Sequence, residues 1–156
     1  MESKIKNQKL YKISEIRLIY KNLVKAPLRP HVDSPKEAYE IVFKNWDTDQ
    51  IEFIEQFKIL LLNTANKVLG IYTVSTGGIA ATIVDPKLIF SAALKANASA
   101  MILCHNHPSG NLKPSTQDIQ VTEKITNGGK LLDIKVLDHL IITSEGYFSF
   151  QEEGLL

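Results

Sequence analysis

An α/β fold with a mixed β-sheet flanked by helices is what this 156-residue sequence predicts. Three observations carry that expectation. Helix-opening signals recur at Ser34-Pro35, Asp85-Pro86 and Ser115. Apolar runs of strand length lie between them. One of these runs, residues 98–104, is apolar at nearly every position, as a strand buried on both faces must be.

The first ten residues are polar and are expected to fray. Residues 12–21 alternate roughly through Ile13, Ile16, Leu18 and Tyr20, which predicts a strand. Pro27 and Pro30 keep residues 24–33 extended or in a loop, so residues 1–33 read as an extended arm or strand ahead of one globular unit, 34–156. Ser34 caps a helix, Pro35 suits its first position, and Glu37 completes a capping box. Ala38, Ile41, Val42 and Trp46 then share one helical face. Strands are predicted over 57–62 and 68–74, joined by the turn-like residues 63–66. Gly77-Gly78 breaks the run, and 79–84 reads as another short strand. The helix opened by Asp85-Pro86 carries Leu88, Ile89, Ala92, Ala93 and Ala96 and should be mostly buried. After the interior strand 98–104, residues 105–114 are expected to be irregular. Ser115 caps a helix to about residue 127, ended by Gly128-Gly129. A long strand over 134–142, a turn at Glu145-Gly146 and a short piece to Phe150 close the pattern.

Composition excludes several classes. With 44% hydrophobic and 22% charged residues, the chain is neither low-complexity nor disordered throughout. Eighteen Lys+Arg against 17 Asp+Glu give a net charge of +1, without the basic excess of a protein held to nucleic acid mainly by phosphate contacts. The single cysteine, Cys104, forms no internal disulfide and rules out both a cysteine zinc ribbon and the Pro-Cys-x-x-Cys of zinc deaminases. No apolar run approaches the ~20 residues that span a bilayer, and no apolar stretch follows Lys4, Lys6 and Lys9 as a secretory signal requires. A soluble, cytoplasmic protein is the expectation.

Chemistry concentrates in His105-Asn-His107-Pro-Ser-Gly-Asn-Leu-Lys-Pro-Ser115-Thr-Gln-Asp118. Residues two apart in extended backbone point the same way, and Pro108 disfavours helix at His107. Two imidazoles leaving a buried strand together can ligate one ion. Asp118, at the third position of the next helix, offers a carboxylate where the helix dipole favours negative charge. Two histidines and one carboxylate leave a tetrahedral zinc one position for water, the pattern of catalytic sites. Such an ion lowers the water's pKa towards ~7. Iron or manganese is compatible with the same ligand types. The competing readings are hydrogen-bonded histidines and a simple capping box. A metal-activated water also calls for a carboxylate base; Asp47, Asp49, Glu52 and Glu55 all precede the first core strand, and periodicity does not choose among them. Cys104 alternates to the opposite face from His105, His139 reads as a satisfied core histidine, His31 as solvated, and Trp46 as helix packing.

The string His-x-His-Pro, then Ser-x-x-Asp, resembles the JAMM motif of JAB1/MPN-type metalloproteases. Its longer form, with Pro108-Ser-Gly and Pro114-Ser115, resembles the RadC branch of that superfamily. The likeness extends over residues 55–149 and includes Leu60-Leu-Leu-Asn63, residues 84–97 and Val136-Leu-Asp-His-Leu-Ile141. It implies a JAB1/MPN, cytidine-deaminase-like architecture. It also implies Zn2+ held by His105, His107 and Asp118. In the family pattern a Glu two residues before a Phe opens the first core strand, which selects Glu55 as general base. Ser115 matches the serine that hydrogen-bonds an oxyanion, in competition with its capping role. The helix-hairpin-helix-like region common in longer RadC proteins is not expected here, since the opening residues show no Gly-rich hairpin between helices.

The expected function is a zinc-dependent hydrolase, a metallopeptidase or isopeptidase acting on a protein or peptide substrate. The alternative is a DNA-repair-associated accessory or binding module without peptidase turnover. A metal-dependent phosphodiesterase ranks last, because only Lys113 lies near the motif. The sequence leaves the oligomeric state open.

Overall fold

The computed structural model describes residues 13–17, 19–78 and 82–156. Five strands form one sheet in the order β2-β1-β3-β4-β5: β1 is Gln56–Leu62, β2 Val68–Thr76, β3 Ala100–Asn106, β4 Lys135–Ile142 and β5 Tyr147–Ser149. Among the described residues, only β3 and β4 pair in parallel. A parallel pair needs a crossover, and the helix α3, Thr116–Leu131, supplies it. The other helices are α1, Pro35–Lys44, and α2, Pro86–Lys95. This is the mixed α/β arrangement the sequence predicted. No helix among the described residues is long and apolar enough to cross a membrane.

Strand alternation divides the core in two. Phe57, Ile59, Leu61, Met101, Leu103 and Val136 pack with Ile89 and Ala93 of α2 and Ile125 of α3. Leu60, Leu62, Ile102, Cys104, Leu140 and Ile142 pack on the opposite face with Ala38 and Val42 of α1 and with Trp46. Interior β3 is buried at all seven positions, which explains its unbroken apolar run.

The helix starts follow their sequence signals. Ser34 accepts from Glu37 N–H, and Asp85 accepts from Lys87 N–H, each ahead of a proline at the first helical position. The Glu37 carboxylate reaches Asp33 N–H rather than the cap residue itself. Leu88 and Leu94 are exposed, so α2 buries a narrower stripe than expected, centred on Ile89, Ala93 and Ala96.

Three local expectations require correction. Residues 13–17 and 19–21 form no strand, and Ile13, Ile16 and Ile19 are exposed; alternation without a partner strand has nothing to bury. Lys12 and Leu18 lie outside the described residues. The arm instead contains a 3-10 turn, Ala26–Leu28, and reaches the sheet through the Tyr20 hydroxyl on Leu69 O and through backbone bonds of Pro30 and Val32. Second, β3 continues through His105 and Asn106, where irregular chain was expected. Third, α3 runs through Gly128-Gly129 to Leu131. Those glycines answer to packing: a Cβ on Gly129 would lie 2.3 Å from Ile134 O, and one on Gly128 2.8 Å from Phe90. The helix ends instead at Leu131, with Leu132 as its cap and Asp133 turning the chain away in the left-handed region at φ 54°. The strand expected over 79–84 falls partly outside the described residues, and 82–84 are irregular.

Candidate metal centre

The end of β3 carries the first ligand candidate. His105 is enclosed, opposite Phe57 of β1 and Ile141 of β4. His107 follows the strand, but its N–H still donates to Ile142 O at 3.0 Å, so the extended alternation persists one step further. Both rings therefore point the same way, with their Nε2 atoms 2.9 Å apart. Gly110, at φ 80°, turns the loop back, and Gly110 N–H donates to His107 O. The Asn111 carbonyl lies 2.5 Å from His107 Nδ1. A carbonyl only accepts, so Nδ1 carries a proton, and in the neutral ring the lone pair is left on Nε2, facing the cluster.

Asp118 arrives from α3. Ser115 Oγ accepts from Asp118 N–H, and Asp118 Oδ2 accepts from Ser115 N–H at 2.6 Å and from the Ser115 hydroxyl at 2.7 Å. This capping box fixes the carboxylate at the helix N-terminus, with Oδ1 3.2 Å from His105 Nε2 and Oδ2 3.6 Å from His107 Nε2. The cap and the ligand geometry are thus one arrangement, not competing readings.

The three residues form a group that can hold a metal ion: one ligand atom from each, all within 4.8 Å of one another. Two imidazole nitrogens and a carboxylate oxygen suit a borderline divalent cation. Electrostatics agree. Burial pushes the Asp118 carboxyl up, yet the imidazoles of His105 and His107, which donate to it whenever their Nε2 atoms carry a proton, outweigh burial and hold the group far below the usual carboxylate range. The Asp118 carboxylate in turn raises His107, against burial.

A cleft of about 900 Å³ opens over this group. Of the four acidic candidates ahead of β1, Glu52 and Glu55 line it; Asp47 and Asp49 do not. Glu52 accepts from the Ser144 hydroxyl at 2.6 Å. Glu55 is placed by main-chain bonds to Gly77 and Gly78, which extend the β1–β2 ladder, and its carboxylate accepts from Thr82 N–H at 3.2 Å. Its charge also raises His107. Ser115 lines the same cleft.

Sequence reasoning missed Asn106, between the two histidines. Pointing to the opposite face and fully buried, it donates to Ile51 O and Ile54 O at 2.8 Å each and accepts from Gln56 N–H at 2.7 Å. It thereby staples the segment carrying Glu55 to the strand carrying His105. An asparagine inside an otherwise apolar strand was the available signal. His139 is a satisfied core histidine, as expected, bonded to His105 and Thr122. His31 pairs with Asp33 at the surface, and Trp46 is buried just past α1.

The sequence pattern of the RadC-like JAB domain matches residues 32–155. A UPF0758 protein of Flavobacterium johnsoniae is 54% identical over 101 residues, which cover 65% of this chain and 44% of that protein. One from Desulfitobacterium hafniense is 39% identical over 131 residues, covering 83% and 56%. One from Methanosarcina mazei is 37% identical over 153 residues, covering 98% and 65%. The chain thus spans roughly half to two thirds of the length of these curated relatives. Sheet topology, the His-His-Asp group and the match over most of the sequence lead to one conclusion: this chain belongs to the RadC-like JAB domain family.

Proposed function

We propose that this domain is a zinc-dependent hydrolase of amide or isopeptide bonds in a protein or peptide substrate. The observation that carries the reading is the convergence of His105 Nε2, His107 Nε2 and the Asp118 carboxylate in a cleft that also holds Glu55. When bound, zinc supplies Lewis acidity, making a water nucleophilic near neutral pH and polarising a carbonyl. His105, His107 and Asp118 are the residues that hold it. Glu55 takes a proton from the attacking water and delivers it to the leaving amine. Thr82 N–H engages one oxygen of that carboxylate, Oε1, which restricts its rotation. Ser115 turns its hydroxyl proton from Asp118 towards the developing oxyanion, while Asp118 keeps the bond from Ser115 N–H.

Elemental analysis of wild type, His107→Ala and Glu55→Gln, followed by peptide-library cleavage, tests this reading. About one zinc per chain is expected in wild type and Glu55→Gln, none in His107→Ala, and cleavage in wild type alone. A wild-type protein that neither contains nor takes up zinc defeats the proposal. Zinc without cleavage, together with DNA affinity indifferent to Glu55→Gln, would favour an accessory role in its place.

A further inference from the structure

We propose that His139 and Thr122 are positioning residues that set the tautomer of His105 and so aim its lone pair at the metal. The role in metal binding rests on the function proposed above; the hydrogen-bond chain itself does not.

The chain is read from its fixed end. Thr122 Oγ1 lies 2.6 Å from the carbonyl oxygen of Asp118, one turn back on α3. A carbonyl oxygen only accepts, so the single hydroxyl proton is committed there. The same Oγ1 lies 2.6 Å from His139 Nδ1, and with its proton committed it accepts. His139 is therefore protonated at Nδ1. Its ring is fully enclosed, stacked on Phe150 at 4.7 Å and edge-on to Phe57 at 5.5 Å, where a neutral imidazole is favoured. A neutral ring protonated at Nδ1 has a bare Nε2. That atom lies 2.7 Å from His105 Nδ1, so His105 donates to it. His105 Nε2 is left with its lone pair towards His107 Nε2 and Asp118 Oδ1.

The backbone of one ligand thus fixes the ring state of another through two intermediaries on α3 and β4. Orienting a ligating histidine through its other nitrogen is a general means of tuning a metal site. The apolar cage also shows that histidine is not there for packing. Phenylalanine would fill the space between Phe57 and Phe150, but it would leave the enclosed His105 Nδ1–H without its acceptor.

The test compares wild type with His139→Phe, Thr122→Val and Thr122→Ser. Ring-nitrogen NMR reports the tautomers, zinc affinity is measured by competition with a chelator, and thermal unfolding monitors the fold. His139 protonated at Nδ1 is expected in wild type, metal-free and zinc-loaded alike. His139→Phe and Thr122→Val should bind zinc about 10–100-fold more weakly while remaining folded, and Thr122→Ser should restore affinity close to wild type. A purely structural histidine predicts the reverse split, with stability lost and affinity kept. Protonation of wild-type His139 at Nε2, or undiminished zinc affinity in folded Thr122→Val, overturns the proposal. Should His139→Phe fail to fold, the Thr122 pair decides alone. If wild type binds no zinc, the hydrolase reading falls, and the tautomer of His139 in the metal-free protein still decides the chain.

Discussion

The two faces of β3 bury ionisable groups in different ways. Towards α1 lie Lys58, Cys104 and Asp138, and burial drives each towards its neutral form: the lysine is pushed down, the thiol and the carboxyl up. Asp138 shifts this way although Ser149, Gln151 and His139 N–H all donate to it. Towards α3, burial likewise drives His139 to its neutral form, but Asp118 moves against its burial and stays ionised because two imidazoles face it. Burial at the same sheet therefore does not by itself make a site. A carboxylate held charged in a partly buried place, between imidazoles that become metal ligands once they give up the Nε2 proton, is a stronger pointer.

The largest break in this comparison should come from matched cavities. Leu103 and Leu140 are both fully buried, the first on the α3 face beside His105 and the second on the α1 face beside Cys104. Each Leu→Ala change should cost about 2–5 kcal/mol in denaturant unfolding. Only Leu103→Ala should also weaken zinc binding, several-fold in a competition titration, because its cavity adjoins the ligand ring. Equal zinc affinity in the two variants would remove the functional distinction between the faces.

A smaller effect is expected at Asn106, which crosses the divide. Asn106→Ala leaves the half-buried Gln56 N–H without its partner, a loss of about 1–3 kcal/mol. Zinc should remain, since His105 and His107 keep their strand bonds, while cleavage should fall with the displacement of Glu55. Loss of zinc in a folded Asn106→Ala protein would contradict this. The smallest effect concerns Cys104. Its enclosed thiol, pushed well above the ordinary range, should resist alkylation in the native protein and react at the rate of global unfolding. Fast native-state labelling measured by mass spectrometry would show the α1 face to be more open than its packing indicates.

Much of the site was legible because its determinants are local. Alternation puts His105 and His107 on one side, and the capping box puts Asp118 at the third helical position; both follow from spacing and backbone geometry. The choice of Glu55 was not local and came only with the family resemblance, since its placement depends on pairing with Gly77 and Gly78 and on the Asn106 staple. The end of α3 was misread for a related reason. A glycine pair looks like a stop in sequence, whereas here it admits Ile134 O and Phe90 against the helix.

The amino-acid sequence alone determined the alternation of strands and helices, the interior character of β3, and the pairing of two histidines with a helix-capping aspartate. Each is written in contacts no more than a few residues long. Tertiary structure decided which carboxylates share the cleft, that His139 and Thr122 stand behind His105, and that the described arm residues 13–17 and 19–21 make no strand. Those outcomes depend on residues 17 to 92 positions apart meeting in the fold, or on no partner strand being there among the described residues. Local propensity is silent on such meetings.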